Sequence, residues 1–193
     1  MIRVDSNDMN IDDSVSYAYD DYDWFHKVYD FWFNSELSLE DRFKLWFGKL
    51  QSNDDFITNN FKQTFDLVFT QCKDGTLDLK PQFEYSKIIN ISSIIVLDQF
   101  SRHIYRNSNN SLIDDATLQA VKLSKNCLEK FFYTLSDNEL AFVLMPLKHF
   151  DINEYYCFIR DKIDQWKRYN CNTSTILGEL YTLKMLHRFR FAY

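Results

Sequence analysis

One apolar stripe of this sequence runs directly into charged residues, which restricts how the segment can fold. Isoleucines at helical spacing between residues 88 and 95 continue on the same face, at about 100° per residue, into Asp98, Arg102 and Tyr105. A carboxylate on a buried face needs a partner, because an unpaired buried charge costs several kcal/mol. Arg102 follows Asp98 by four residues, the spacing at which helical side chains meet. The stripe therefore predicts a buried helix that carries a polar site.

Glycine and proline are scarce along the whole chain. Only three Gly and two Pro occur among 193 residues, which favours helices joined by short polar links over a many-stranded sheet. Apolar residues recur at helical spacing in most segments, and the short links favour antiparallel pairing of successive helices. We therefore predict an all-α fold of seven to eight helices, packed as a bundle or as a solenoid.

Local signals predict where several helices begin and end. Three residue pairs have the spacing of a capping box: Ser38 with Asp41, Ser136 with Glu139, and Asp151 with Glu154. Gly75 should end the helix that starts near Asp54, and Pro146 should kink or end its own helix. The central helix is predicted over residues 84–105, and the last helix over about 174–189.

The negative charge is concentrated at the amino terminus. Residues 1–23 contain seven Asp against Arg3 alone, which accounts for the whole net charge of -6. We predict a disordered acidic tail over residues 1–16 and a single helical domain over residues 17–193. The remaining residues carry 21 acidic and 21 basic side chains, so no broad basic field is available and we expect no nucleic-acid partner.

The four cysteines and the hydropathy pattern indicate the compartment. The cysteines are scattered, with no C-x-x-C pair and no histidine at zinc-ligand spacing, so we predict reduced thiols, no metal site and no cofactor. The sequence shows no signal-peptide core and no apolar run near the ~18 residues of a membrane span. These features predict a soluble, cytoplasmic protein without a membrane partner.

Five short motifs, in order, resemble those of one known family. Residues 97–106 read L-D-Q-F-S-R-H-I-Y-R, which resembles the signature L-D-Q-F-P-R-N-x-[YF]-R of a bacterial family called domain of unknown function 924. The other four are F-W-F at 31–33, W-F at 46–47, G-T-L at 75–77 and M-P-L-K-H at 145–149, where the family reads M-P-L-E-H. The resemblance spans residues 28 to about 191.

The resemblance implies an all-helical fold of the tetratricopeptide-like superfamily, here as an irregular array of antiparallel helical pairs. It supplies no established activity. The chain departs from the family pattern at Ser101 and His103, where the family has Pro and Asn, and at residues 149–151, where it reads H-F-D for H-S-E. The closing family motif is represented only by R-F-R-F at 188–191. The resemblance therefore implies a divergent, C-terminally shortened member.

The candidate catalytic residues are Asp98, Arg102 and His149. An Arg presents a planar fork for a carboxylate or phosphate, and His149, in the last family motif, is the best candidate general acid or base. A structural ion pair is the competing interpretation for Asp98 and Arg102. The predicted ligand-binding set adds three residues of the signature: Gln99, Tyr105 and Arg106.

Three functional hypotheses follow from this sequence. The first is a binding or scaffolding module for a protein, peptide or small molecule, because no complete catalytic set is recognisable. The second is a small-molecule enzyme, such as a hydrolase, and convergence of Asp98, Arg102 and His149 on one pocket would favour it. The third is a degenerate viral or symbiont copy that retains only the fold; a viral copy would reside in the host cytoplasm.

Overall fold

A computed structural model describes residues 23–77, 86–108 and 110–170 of the chain. All regular structure in these ranges is helical, so the predicted all-α fold is confirmed. The α-helices are α1 (Trp24–Trp32), α2 (Leu39–Phe47), α3 (Gln51–Asp74), α4 (Ser86–Ile94), α5 (Ser101–Ile104), α6 (Asn110–Phe131) and α7 (Asp137–Asn170). The predicted acidic tail and the predicted last helix lie outside the described residues.

The central helix consists of α4, a π-helical segment (Ile95–Phe100) and α5, which follow one another without a break. Every residue from 90 to 101 is buried, as its nearly continuous apolar sequence predicted. Helices α1, α3, α6 and α7 all contact the central helix, which places it in the middle of the fold. The π-helical segment inserts a wider turn, so residues beyond it rotate away from the face that a regular helix would give them.

The number of helices in the described residues differs slightly from the predicted seven to eight. With the central helix counted once, the described residues form six helices. The main difference lies in α7, which spans two predicted helices. Pro146 was expected to kink or end the first of them, but it lies inside α7, and the interruption is at Asp151, whose φ of -155° and ψ of 103° are not helical. Asp151 restarts the helix, because its Oδ1 accepts hydrogen bonds from the backbone N–H groups of Asn153 and Glu154 at 2.9 and 3.1 Å.

Two predicted N-caps and one predicted C-terminus agree with the structure, whereas α3 begins at Gln51, three residues before the predicted start near Asp54. The Ser38 hydroxyl accepts from the Asp41 N–H at 3.1 Å and so caps α2. At the start of α7, the Ser136 N–H donates to Glu139 at 2.6 Å and the Glu139 N–H donates to the Ser136 hydroxyl at 3.3 Å, which completes a capping box. Gly75 ends α3 with a φ of 69°, a left-handed conformation that glycine adopts without strain.

The core is built from large aromatic side chains. Trp32, Trp46, Phe100 and Phe142 are buried, and their rings contact one another at mostly edge-to-face angles. The indole Nε1 of Trp46 donates to the Trp32 carbonyl at 2.7 Å, which supplies the hydrogen bond that a buried indole needs. This cluster ties α1, α2 and α7 to the central helix. Among the described residues, no helix is both long and apolar enough to span a membrane.

Candidate functional site

A pocket of about 200 Å³ lies between the end of α2, the C-terminal half of the central helix and the middle of α7. Trp46, Phe47 and Met145 give it an apolar wall. The other lining side chains are mainly polar or charged: Lys49, Gln99, Arg102, His103, Arg106, Lys148 and His149. The lining residues thus combine two imidazoles and four cations with a small apolar surface.

Asp98 lies directly behind this pocket and is completely buried. Its two carboxylate oxygens, Oδ1 and Oδ2, lie 3.0 and 2.9 Å from Nδ1 of His149, whose side chain is 26% exposed. An ionised carboxylate only accepts hydrogen bonds, so Nδ1 of His149 carries the proton and Nε2 carries the lone pair when the ring is neutral. The pair fixes both the orientation and the tautomer of His149.

Three further donors surround the same carboxylate. Arg102 approaches Oδ1 with Nη2 at 3.3 Å and Nε at 3.4 Å, and its Nη2 also donates to the Thr117 hydroxyl at 2.9 Å. Gln99 donates its amide to Oδ2, and the Thr117 hydroxyl lies 3.5 Å from Oδ1. We call Asp98, Arg102 and His149 the Asp98 cluster.

The Asp98 cluster keeps its carboxylate charged. Burial by itself raises the pKa of Asp98, but the charge and hydrogen bond of His149, together with Arg102 and Gln99, outweigh it and hold the pKa below its ordinary value. The charge of Asp98 therefore persists at neutral pH although no solvent reaches the side chain.

A second carboxylate–imidazole pair borders the same pocket. His103 Nδ1 lies 2.7 Å from Oδ1 of Asp54, and Arg106 approaches the same carboxylate with Nη2 at 2.9 Å from Oδ1 and Nε at 2.7 Å from Oδ2. The side chains of His103 and Asp54 are only 5% and 9% exposed. Burial lowers the pKa of His103 below its ordinary value, and the opposing effect of Asp54 does not cancel it. We call Asp54, His103 and Arg106 the Asp54 cluster.

Asp54 is the site residue that the sequence analysis missed. It was treated only as the start of a helix, and His103 ranked below His149 as a candidate general acid or base. The sequence does contain a signal for Asp54, because this residue lies three residues before Ile57 and so extends the apolar stripe of α3. A carboxylate on an apolar stripe was the very feature that singled out Asp98. Its partner, 49 residues away in sequence, could not be identified by helical spacing.

The structure brings most of the predicted site residues together. Arg102, Arg106, Gln99 and His149 line the pocket, with Asp98 behind them. Tyr105 is the exception among the predicted ligand-binding residues. Its ring packs against Phe65 of α3, with the centroids 5.5 Å apart, and Lys62 lies over it at 5.4 Å. Tyr105 follows the last residue of α5 and has a φ of -114° and a ψ of 16°, so the predicted common face of Asp98, Arg102 and Tyr105, which assumed an uninterrupted α-helix, does not reach it.

Another buried polar cluster lies apart from the pocket lining. Glu139 is 2% exposed and accepts hydrogen bonds from Tyr29 at 2.7 Å and from Lys87 at 3.1 Å. Burial raises the pKa of Glu139, but the Ser136 backbone N–H, Lys87 and Tyr29 lower it further than burial raises it. These contacts join α1, the central helix and α7, and they satisfy Glu139 fully enough to account for it as a structural residue.

In the ranges that the structure describes, no group of three or more His, Cys, Asp or Glu side chains is arranged to hold a metal ion. Cys127 is buried, with a pKa raised by burial to about 12, and Cys72 is half-buried, with its pKa raised for the same reason to about 11. Neither thiol is in a state to act as a nucleophile near neutral pH. The polar groups that line the pocket are imidazoles, guanidinium groups, ammonium groups and the Gln99 amide.

The fold and the site define an all-helical protein with a cationic pocket backed by two buried carboxylates that each hold an imidazole. The sequence model of one family, described as a bacterial protein of unknown function (DUF924), matches residues 28–187. Because this match covers most of the chain, the chain belongs to that family, as its five motifs implied. No curated protein and no solved structure gave a match. The tetratricopeptide-like superfamily remains a prediction.

Proposed function

We propose that this chain is a small-molecule enzyme of the hydrolase type, which binds an anionic compound in the pocket and uses His149 as a general acid–base. One observation carries the proposal. A completely buried, charged Asp98 accepts the Nδ1 hydrogen bond of a partly exposed His149 that lines a pocket. Such a carboxylate orients the imidazole and stabilises the imidazolium that forms when Nε2 takes a proton. Convergence of Asp98, Arg102 and His149 was the geometry expected of the enzyme hypothesis.

The charge of the pocket supports an anionic ligand. Arg102 and Arg106 are each paired with one buried carboxylate, and their side chains are still 34% and 30% exposed. Each retains donors that the carboxylate does not use, because a guanidinium group has five N–H groups. Lys49 and Lys148 add positive charge to the lining. A carboxylate or phosphate group of the ligand would find a fork-shaped partner here.

The shape of the pocket supports a small ligand rather than a peptide. Its volume is about 200 Å³, and its apolar wall is limited to Trp46, Phe47 and Met145. A compound with one charged group and a small apolar part would fill both regions. The binding or scaffolding hypothesis for a macromolecular partner stays a prediction, with no observation in the described residues that favours it over the pocket.

The test of the binding step is a thermal-shift screen of the purified chain against inorganic phosphate and collections of phosphorylated and carboxylated metabolites. A ligand at about 100 times its Kd should add about 2.7 kcal/mol of stability, which raises Tm by roughly 5–10 °C for a chain of this size. Arg102→Ala should abolish the shift. Arg168→Ala, which removes an exposed arginine near the end of α7, is the matched control and should retain it.

Two outcomes would contradict the proposal. One is the absence of any shift across both collections, which would leave a macromolecular partner as the better hypothesis. The other is a shift of the same size in Arg102→Ala and in the control. For any compound that does bind, turnover should be lost in His149→Asn and kept in His26→Asn, because His26 is on α1 and outside the pocket lining.

A further inference from the structure

The two clusters beside the pocket have the same construction. In each, a buried carboxylate accepts the Nδ1 hydrogen of one imidazole and also faces one guanidinium group. The carboxylates come from different helices, Asp54 from α3 and Asp98 from the central helix. The imidazoles also come from different helices, His103 from α5 and His149 from α7, yet both line the same pocket. One imidazole would suffice for a binding site that only needs a positive charge.

We propose that His103 is a second catalytic residue of this pocket and acts with His149 as an acid–base pair in the hydrolysis of a small phosphoric ester. This inference rests on the proposed function and names its substrate class. The Nδ1 of each ring is occupied by its carboxylate, so the lone pair of each neutral ring is on Nε2, and both rings line the pocket. When both Nε2 atoms contact the same ligand, one can remove a proton while the other delivers a proton in the same step.

The different surroundings of the two rings assign their roles. His103 is 5% exposed and has the Arg106 guanidinium beside it, and both conditions disfavour its charged form, so His103 is the base. His149 is 26% exposed, so it exchanges protons with solvent more readily than the enclosed His103, and we assign His149 as the acid. The charged groups around them are Asp54 and Arg106 at His103, Asp98 and Arg102 at His149, and Lys49 and Lys148 in the shared lining.

The reaction balances with water as the only other reactant. Nε2 of His103 takes a proton from a water molecule while the water oxygen bonds to phosphorus. The bond between phosphorus and the leaving oxygen breaks, and its electron pair stays on that oxygen, which takes the proton from Nε2 of protonated His149. The products are an alcohol and a phosphate with one ester bond fewer. The two rings return to their starting states by proton exchange with solvent.

The lining residues favour a phosphoric ester over other esters. The described residues that line the pocket include no Ser, Thr or Cys, so a water molecule rather than a protein hydroxyl or thiol is the available nucleophile. Arg102 and Arg106 supply two guanidinium groups, which suit a phosphoryl group with several anionic oxygens. The apolar wall of the pocket then accommodates the alcohol group of the phosphoric ester.

The first test uses NMR of the histidine ring nitrogens in the wild-type chain, with phenyl phosphate as the probe. Saturating phenyl phosphate should shift the Nε2 resonances of both His103 and His149 and leave those of His26 unchanged. A shift at His149 alone would overturn the role of His103 while leaving the proposed binding function intact. No shift at either ring would overturn the phosphoric ester as the substrate class; the metabolite screen then decides the proposed function separately.

The second test measures hydrolysis of para-nitrophenyl phosphate as a function of pH. His103→Asn keeps an N–H donor for Asp54 but cannot take a proton, so kcat should fall roughly 100-fold or more, and the acidic limb of the pH profile should disappear. His149→Asn should instead remove the alkaline limb, and His26→Asn should match the wild type. An unchanged pH profile in His103→Asn, or no hydrolysis by the wild type, would overturn the proposal.

Discussion

The charge of Asp98 is the residue-scale feature on which the pocket depends. Replacing Asp98 by Ala leaves His149 and Arg102 without their carboxylate, and we expect a loss of about 2–4 kcal/mol in the free energy of unfolding, since these partners are partly exposed and recover some hydration. Chemical denaturation at neutral pH measures this. Asp66→Ala is the matched control, because Asp66 forms an exposed ion pair and its loss should cost under about 1 kcal/mol. Equal losses in the two variants would contradict the account.

Asp98 should also contribute to the acid sensitivity of the fold. Its pKa lies below the ordinary value of 3.8, so the folded state binds the proton less readily than the unfolded state does. The stabilisation is complete above pH 3.8 and is lost as the pH falls through the lowered pKa.

The pKa of His103 gives a prediction at milder pH. Burial lowers this pKa below 6.5, so below that pH the unfolded chain takes up a proton that the folded chain resists. The contribution of His103 to stability should therefore be complete above pH 6.5 and decrease as the pH falls through its folded-state pKa. Denaturation of the wild type and of His103→Asn, in parallel between neutral and mildly acidic pH, measures it. If the wild type instead became more stable relative to His103→Asn on acidification, the effect of Asp54 on the pKa of His103 would be larger than the effect of burial, and the prediction would be wrong.

The contacts of single residues show which parts of the site could be predicted from the sequence. Asp98 and Arg102 were predictable as a pair because they lie one helical turn apart, and His149 was predictable only through its family motif. The contact between His149 and Asp98 spans 51 residues, and the contact between His103 and Asp54 spans 49. No periodicity within one helix encodes such contacts, so the Asp54 cluster went unpredicted.

At the scale of elements, local signals predicted helix ends well. The N-cap at Ser38, the capping box at Ser136 and the left-handed Gly75 depend on neighbours within a few residues, and all three helix ends lie where these signals predicted. The π-helical segment was not predictable in this way. No capping or turn signal marks it, and the central helix ends at Ile104, so Tyr105 leaves the face of Asp98.

The interruption of α7 at Asp151 should contribute to the stability of the fold, and it lies close in sequence to the pocket residue His149. Asp151 caps the second half of α7, and His149 lies two residues before it. Asp151→Ala removes the acceptor for two backbone N–H groups and should cost about 1 kcal/mol, while Asp151→Asn keeps a side-chain acceptor and should cost a few tenths. Urea denaturation of both variants tests this. Equal effects of the two substitutions would show that the cap is not what stabilises the interruption.

At the scale of the whole molecule, the arrangement of helices determines what the pocket contains. The lining comes from α2, the central helix and α7, and the two carboxylates behind it come from α3 and the central helix. The aromatic cluster of Trp32, Trp46, Phe100 and Phe142 fixes three of these elements against one another. The sequence predicted the helices and their apolar faces. Which faces meet depends on the packing of large side chains, which a one-dimensional pattern does not specify.

The proposed acid–base chemistry requires that the buried carboxylates hold the two imidazoles by Nδ1. Heteronuclear NMR of the histidine ring nitrogens, recorded on the unliganded wild-type chain at a pH where the rings are neutral, measures the tautomer directly. We predict that His149 and His103 are both protonated at Nδ1 and carry the lone pair at Nε2, and that the Nδ1 proton of His149 loses its downfield hydrogen-bond shift in Asp98→Asn. Protonation of His149 at Nε2, or a signal unaffected by Asp98→Asn, would contradict the central claim.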